Sequence, residues 1–255
     1  MNMELVTRFN IALLFLGLGM FFSCKKEEDR TCFKSIGGES ALEIKDLKMD
    51  KLYLKSKVKY VFIQDSLDRI VVRGGKNLIN HIAFEYDNDS ILHVSNKNKC
   101  KFLRKMNSPI SVEFHFSKLS YIEVNSGDSI VSRGVIKVPF LKVEIADGAS
   151  SIRLNVDVDS INTYARYGFT DITYSGKTKM CNANITYATA YNILDLNISQ
   201  ASFIRSATSQ SIYVNANNIA LTGEIWSNGN VYYKGTPGYL DFNVKAGNGK
   251  LIKIE

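Results

Sequence analysis

The stretch SIRLNVDVDSINTYARYGFTDITYS, residues 151 to 175, contains one short phrase twice: Ser151-Ile152 and Asp171-Ile172, a polar residue followed by an aliphatic one, 20 positions apart. Between the two copies apolar and polar residues largely alternate, which is the period of a half-buried strand, and no helical period is sustained. Read outward, the phrase recurs at Ser129-Ile130, Asn192-Ile193, Ser211-Ile212, Asn230-Val231 and Lys250-Leu251, with spacings of 19 to 22 residues. Tight hairpins would return more often, roughly every 8 to roughly 12 residues. A polar corner and an inward aliphatic repeated about every 20 residues is the demand of a β-solenoid, whose coils bury their apolar side only by stacking.

A second ladder runs upstream of the first through Val124, Ile145, Ala165, Ile185, Ile204, Ile225 and Val244. The variable gap between the ladders falls at turn signals such as Asp147-Gly148 and Asn228-Gly229, where insertions leave the sheets in register. The sequence therefore predicts an all-β protein: a parallel β-solenoid of about 20 residues per coil over 118–255, preceded by a strand-rich segment over 41–117. Seven coils at strand spacing make a rod about 34 Å long. The upstream segment lacks the spacing. Lys51 to Tyr60 reads as one half-buried strand, with Leu52, Leu54, Val58 and Tyr60 on the inner face and lysines mostly on the outer. We expect this segment to continue the solenoid and shield its first coil.

The chain opens differently. Arg8 precedes an apolar run to Ser23 that is too short for a comfortable transmembrane helix and reads as a secretory signal. Phe22-Ser23-Cys24 resembles the lipobox of bacterial lipoproteins, which makes residues 1–23 the signal peptide and Cys24 the lipidated (palmitate-bearing) first residue of the mature protein. Residues 24–40 then form a tether, and its charged start, Lys25 to Arg30, is similar to the export tag of Bacteroidetes lipoproteins that face the cell exterior. The expected location is the outer membrane, anchored by lipid and exposed at the surface.

The net charge of +7 belongs, on this reading, to an exported protein, so it argues for a solvated surface or acidic glycans and against nucleic acid. Three cysteines follow Cys24. In an oxidising compartment we expect Cys32 to pair with Cys100, both in polar flanks, and Cys181 to be a buried small apolar residue.

Residues that carry chemistry are sparse. His81, His93 and His115 stand on strand-like segments with no second ligand at metal spacing, and Asp87-Asn88-Asp89 lacks the glycine and distal glutamate of a calcium loop. Gly247-Asn248-Gly249-Lys250 has no helix after it to hold a phosphate. No cofactor or metal is expected. Many parallel β-solenoids cut acidic polysaccharides, and Asp195 with Lys234 or Arg205 is the pairing that such an enzyme would use here. The position just after the ladder, directed outward, holds Thr173, Leu194, Tyr213, Tyr232 and Ile252, with Trp226 nearby. Tyr213, Trp226 and Tyr232 are the candidate binding face, suited to a glycan or a surface protein. The basic group Lys97, Lys99, Lys101, Arg104 and Lys105 suits phosphate groups near the anchor.

Several pieces together resemble the auto-transporter adhesin head GIN domain family of Bacteroidetes lipoproteins. They are Cys32-Phe33-Lys34-Ser35, Asn96 through Arg104, Ser126-Gly127, and Val231-Tyr232-Tyr233-Lys234-Gly235-Thr236-Pro237, similar to the family's closing Y-x-G-x-P signature. The resemblance spans 41–255 and implies a right-handed parallel solenoid and an adhesion-like role without catalysis. Later coils depart from the family pattern by losing its Ser-Gly pair, as at Ser206-Ala207-Thr208. The competing functions are a polysaccharide-active enzyme and a structural envelope component, and a second copy of the chain is a further partner that an uncovered last coil would accept.

Overall fold

The structure, a computed structural model, describes residues 35–99, 110–125 and 127–255. Eighteen strands in these residues form one hydrogen-bonded system. The first eight are short: β1 (Glu39–Lys45), β2 (Lys51–Lys55), β3 (Lys59–Gln64), β4 (Arg69–Gly75), β5 (Ile82–Tyr86), β6 (Leu92–Asn96), β7 (Ser111–Phe116) and β8 (Tyr121–Asn125). Then come β9 (Ser129–Asp147), β10 (Ser151–Ala165) and β11 (Asp171–Tyr187), long enough to pass round a coil. The chain ends in β12 (Ala190–Ile193), β13 (Leu196–Thr208), β14 (Ile212–Asn215), β15 (Ala220–Ile225), β16 (Val231–Lys234), β17 (Tyr239–Val244) and β18 (Leu251–Ile254).

From β8 onward, apart from strands that follow one another within a coil, each strand pairs in parallel with its equivalent about 20 residues on, giving stacked coils of a β-solenoid of about seven turns. One side carries β2, β8, the ends of β9, β10, β11 and β13, then β15 and β17. Another carries β3, the starts of β9, β10 and β11, then β12, β14, β16 and β18. A third, shorter run that the two sequence ladders did not include joins them in the middle coils, with Ile136, Val156, Leu196 and Ile198 buried along it. Alternation places the inner set of the middle coils, skipping a step only where the chain turns from one side to the next. β10 is buried at Ile152, Leu154, Val156 and Val158, then at Ile161, Thr163 and Ala165.

Two rungs differ from the expected ladders, each by two residues. Ile172 pairs with Tyr191, and Tyr191 with Ile212, so the rung assigned to Ile193 is held by Tyr191. Likewise Ile185 pairs with Ser206, and Ser206 with Ile225, where Ile204 was expected. A two-residue slip leaves every side chain on its own face, so alternation cannot detect it. Tyr191 is accepted in an aliphatic ladder because its hydroxyl lies 3.3 Å from the Cys181 thiol, while its ring packs edge-on to Tyr174, whose own hydroxyl accepts a hydrogen bond from Thr163 at 3.2 Å.

Cys181 is a free, fully buried thiol, and burial pushes its pKa up to about 11. The reactive thiolate is therefore scarce at pH 8. Iodoacetamide at that pH is expected to leave Cys181 unmodified in the folded protein and to alkylate it in urea, read from the mass of its peptide. Native-state labelling would mean that the coil around β11 opens.

The upstream segment is rearranged rather than irregular. The single strand expected from Lys51 to Tyr60 is two strands on different sides, separated at Ser56, whose φ of 76° turns the chain. β2 pairs with β8, the far side of a long excursion, and β3 pairs with β9, so β2 and β3 form a first coil. The chain then doubles back: β4 and β7 add to the far side of β3 and β6 to that of β2, with β1 and β5 closing antiparallel on β4 and β6. Spacing disappears from the sequence there because the inserted excursion separates neighbouring coils. The excursion closes one end of the core, with Leu78 and Ile79 of a single helical turn buried beneath it. At the opposite end Phe242 fills the space above Gly223.

Candidate functional site

The expected stripe is only partly assembled. In register the outward positions are Thr173, Asn192, Tyr213, Tyr232 and Ile252; Leu194 does not belong, displaced by the same slip that moved Ile193. Tyr213 and Tyr232 stack at 5.0 Å and 14°, both half-buried, and Asn230 donates to the Tyr232 hydroxyl. Trp226 is on a different surface. It follows β15, its indole donates to Glu224 at 2.7 Å, and the Arg205 guanidinium lies over its ring at 5.3 Å.

That surface, the outer face of β8 to β15, holds what the sequence reading missed. Stacking brings Glu123, Glu144, Tyr164, Asn184, Arg205 and Glu224 into one column, each about 20 residues from the last. Beside it Lys142 stands 5.2 Å from the rings of both Tyr121 and Tyr164 and 2.9 Å from Glu144. Arg166 also pairs with Glu144, whose carboxylate is almost wholly covered. Burial, with Glu123 and Glu144 alongside, pushes the Tyr121 phenol well above its ordinary range, so it remains a donor to Glu123 at 2.9 Å. At the corner past Tyr164 a hollow of about 340 Å³ is lined by Tyr164, Arg166, Tyr167, Asn184, Thr186 and Tyr187. A column test, with outward residues read one coil apart, would have found Tyr164 with Asn184, and the corner tyrosines Tyr167 and Tyr187, also 20 residues apart.

The titratable clusters elsewhere are closed on themselves. Asp65 binds Arg69 at 2.9 Å and His115 at 3.2 Å, and the Ser66 amide and the His115 side chain hold its carboxyl below the usual carboxylate range. Glu113, roofed by Arg73 and Arg133, completes this group, so His115 lies outward on its strand yet is nearly covered. In the loop Asp87-Asn88-Asp89 the Asp87 carboxylate accepts from the amides of Asp89 and Ile91 and contacts His93 at 2.8 Å, which occupies it as a turn anchor. Gly247 to Lys250 is a corner stacked on Ser227 to Asn230, with amides donating to Ser227, Asn228 and Asn230. Asp195 and Lys234 do line one open hollow of about 710 Å³, whereas Arg205 is on the other face. Among the described residues no three His, Cys, Asp or Glu side chains are arranged to hold a metal ion, and no helix is long and apolar enough to cross a membrane. Cys24, Cys32, Cys100, Lys101, Arg104 and Lys105 lie outside the described residues.

A rigid stack of strands that displays rings, amides and guanidinium groups on its outer faces defines a surface-presenting β-solenoid. The chain belongs to the family described as "Putative auto-transporter adhesin, head GIN domain", whose model matches residues 48–237. Its fold is similar to the crystal structure of a putative adhesin from Bacteroides fragilis, with 14% identity, a TM-score of 0.74, and coverage of 85% of this chain and 97% of that one. It is also similar to a putative adhesin from Parabacteroides distasonis, with 16% identity, a TM-score of 0.58, and coverage of 86% and 98%. No curated protein matches the sequence.

Proposed function

We propose that the protein is an adhesin-like binding module without catalytic activity, held by a lipid on Cys24 at the outer face of the outer membrane. The observation that carries this reading is the outer face of β8 to β15, where aromatic rings and polar groups are displayed on a rigid ladder and the Glu144 carboxylate is neutralised by Lys142 and Arg166, as Asp65 and Glu113 are by cations elsewhere. A surface of that kind is preorganised for recognition, since little side-chain freedom remains to be lost on binding. A hydrolase would instead use an acid and a base converging on one cleft, and Asp195 with Lys234 in the open hollow is the pair that could serve; a polysaccharide-cleaving activity that Asp195→Asn abolishes would favour that second reading. The Cys32–Cys100 bond is part of the same proposal, as a clamp suited to an oxidising exterior.

Protease added to intact cells is expected to digest the wild-type protein, and to spare a variant in which the charges of residues 25–29 are neutralised. Cys24→Ala is expected to release the protein from the membrane fraction. Protection of the wild type on intact cells would overturn the surface role in favour of a structural role inside the envelope.

A further inference from the structure

We propose that the hollow beside Tyr187 is a saccharide site selective for an acidic sugar, an assignment that rests on the binding role above and gives it a ligand class. Its size is in the range of small-ligand pockets, about 300 to 1,000 Å³, and its walls offer both tyrosine rings and polar groups, as the C–H faces and rim hydroxyls of a pyranose require. Tyr167 and Tyr187 meet edge to face at 5.0 Å and 61°, forming an aromatic angle with 53% and 59% of each residue exposed. Tyr164 contributes a third ring. Tyrosine suits this task because an apolar face can receive the C–H face of a sugar while the hydroxyl stays at the wet rim.

Two polar features are left incomplete by the protein itself. The buried Asn184 Oδ1 has no hydrogen-bond partner, although it belongs to a residue lining the hollow. A buried acceptor without a donor is costly, and turning the amide toward the hollow would let a sugar hydroxyl supply one. Arg205 stands outside the lining of the hollow, one strand spacing of about 4.8 Å from Asn184 as its register neighbour on the next coil, where a second ring of a bound oligosaccharide would reach, and it makes no ion pair among the described residues. The nearest acid in the column, Glu224, is already taken by Trp226 and Lys245. Arg205 is held over Trp226 as a planar fork, the group that fits a carboxylate with two parallel hydrogen bonds. Rings, an unpaired amide oxygen and an unpaired guanidinium in succession match a sugar bearing a carboxylate, and a hollow of this size admits a sugar ring, whereas a protein partner needs a contact of about 800 Å² on each side.

The backbone adds a further sign. Tyr187 has a φ of 57°, in the left-handed region where glycine or asparagine would be less strained. Its ring is displayed despite that strain, a pattern concentrated at functional positions.

Calorimetric titration of the purified full-length protein with trigalacturonic acid and with the neutral trimer galactotriose tests the assignment. The acidic trimer is expected to bind about ten-fold more tightly than the neutral one, the worth of one charge-assisted contact. Tyr187→Asn, compatible with the left-handed backbone, is expected to weaken both by about ten-fold. Arg205→Gln should abolish the preference for the acidic trimer, and Lys179→Gln, which removes an exposed cation of another surface, should change neither. Equal affinity for the two trimers, no binding of either, or full binding by Tyr187→Asn would each overturn the site. These outcomes are separable from the surface role: a silent titration together with protease-sensitive display on cells leaves the module at the surface and removes the sugar.

Discussion

Phe114→Ala is expected to lower the unfolding free energy by about 3 to 5 kcal/mol and the midpoint of thermal denaturation by about 6 to 20 °C for a domain of this size. Phe114 is fully buried in β7 and stacks on Tyr60 at 5.9 Å and on Phe62 at 5.3 Å, with Phe62 in turn against Phe116. It joins the doubled-back strands to the first coil, because Phe114 pairs with Phe62 on one side and Ile70 on the other. The cavity left by alanine has little chance to collapse, since backbone ladders hold β3, β4 and β7 at fixed spacing. Urea titration gives the direct reading. A loss below about 1 kcal/mol would mean that this end repacks freely and that the excursion is an ornament rather than part of the core.

Gly223→Ala is the second large effect, expected at the upper end of the roughly 1 to 3 kcal/mol typical of overpacking, or beyond it. A Cβ at this position would stand 2.1 Å from the Ile204 carbonyl oxygen and 2.6 Å from Cζ of Phe242. The second neighbour could move, but the first is backbone of the pairing strand. Glycine here lets β13 and β15 close while the Phe242 ring of the last coil covers the gap, the reciprocal arrangement of an aromatic over a strand glycine. Because coils contact mainly their neighbours, the damage should remain local. Hydrogen exchange is expected to accelerate at the amides of β15 to β18 and to be unchanged in β9 and β10. Uniform acceleration would show the rod to unfold as one cooperative unit.

The period was legible because burial in a solenoid is written into the chain twice: by alternation within a strand and by the return of the same position in every coil. Ile130, Ile152, Ile172, Ile212 and Val231 are all in register and all buried, as their shared phrase predicts. The candidate face fared less evenly. Tyr213 and Tyr232 meet because they share a position in the repeat, whereas Trp226, placed beside them by proximity in sequence, faces Arg205 on another side.

By itself, then, the amino-acid sequence determined the class of fold, the coil length and the identity of most inward side chains, since these depend on local alternation and on a repeat that any neighbour must match. Tertiary structure alone decided three things. It chose Tyr191 and Ser206 over Ile193 and Ile204, because slips of two residues preserve every face and only the packing of whole coils separates them. It folded β4 to β7 back over the first coil, an arrangement specified by contacts such as Phe62 with Phe114 and Leu52 with Leu92, so distant along the chain that no local signal encodes them. It also gathered Tyr164, Tyr167, Asn184 and Tyr187 around one hollow: residues a coil apart in the chain become neighbours only when stacking brings them within a strand's spacing of each other.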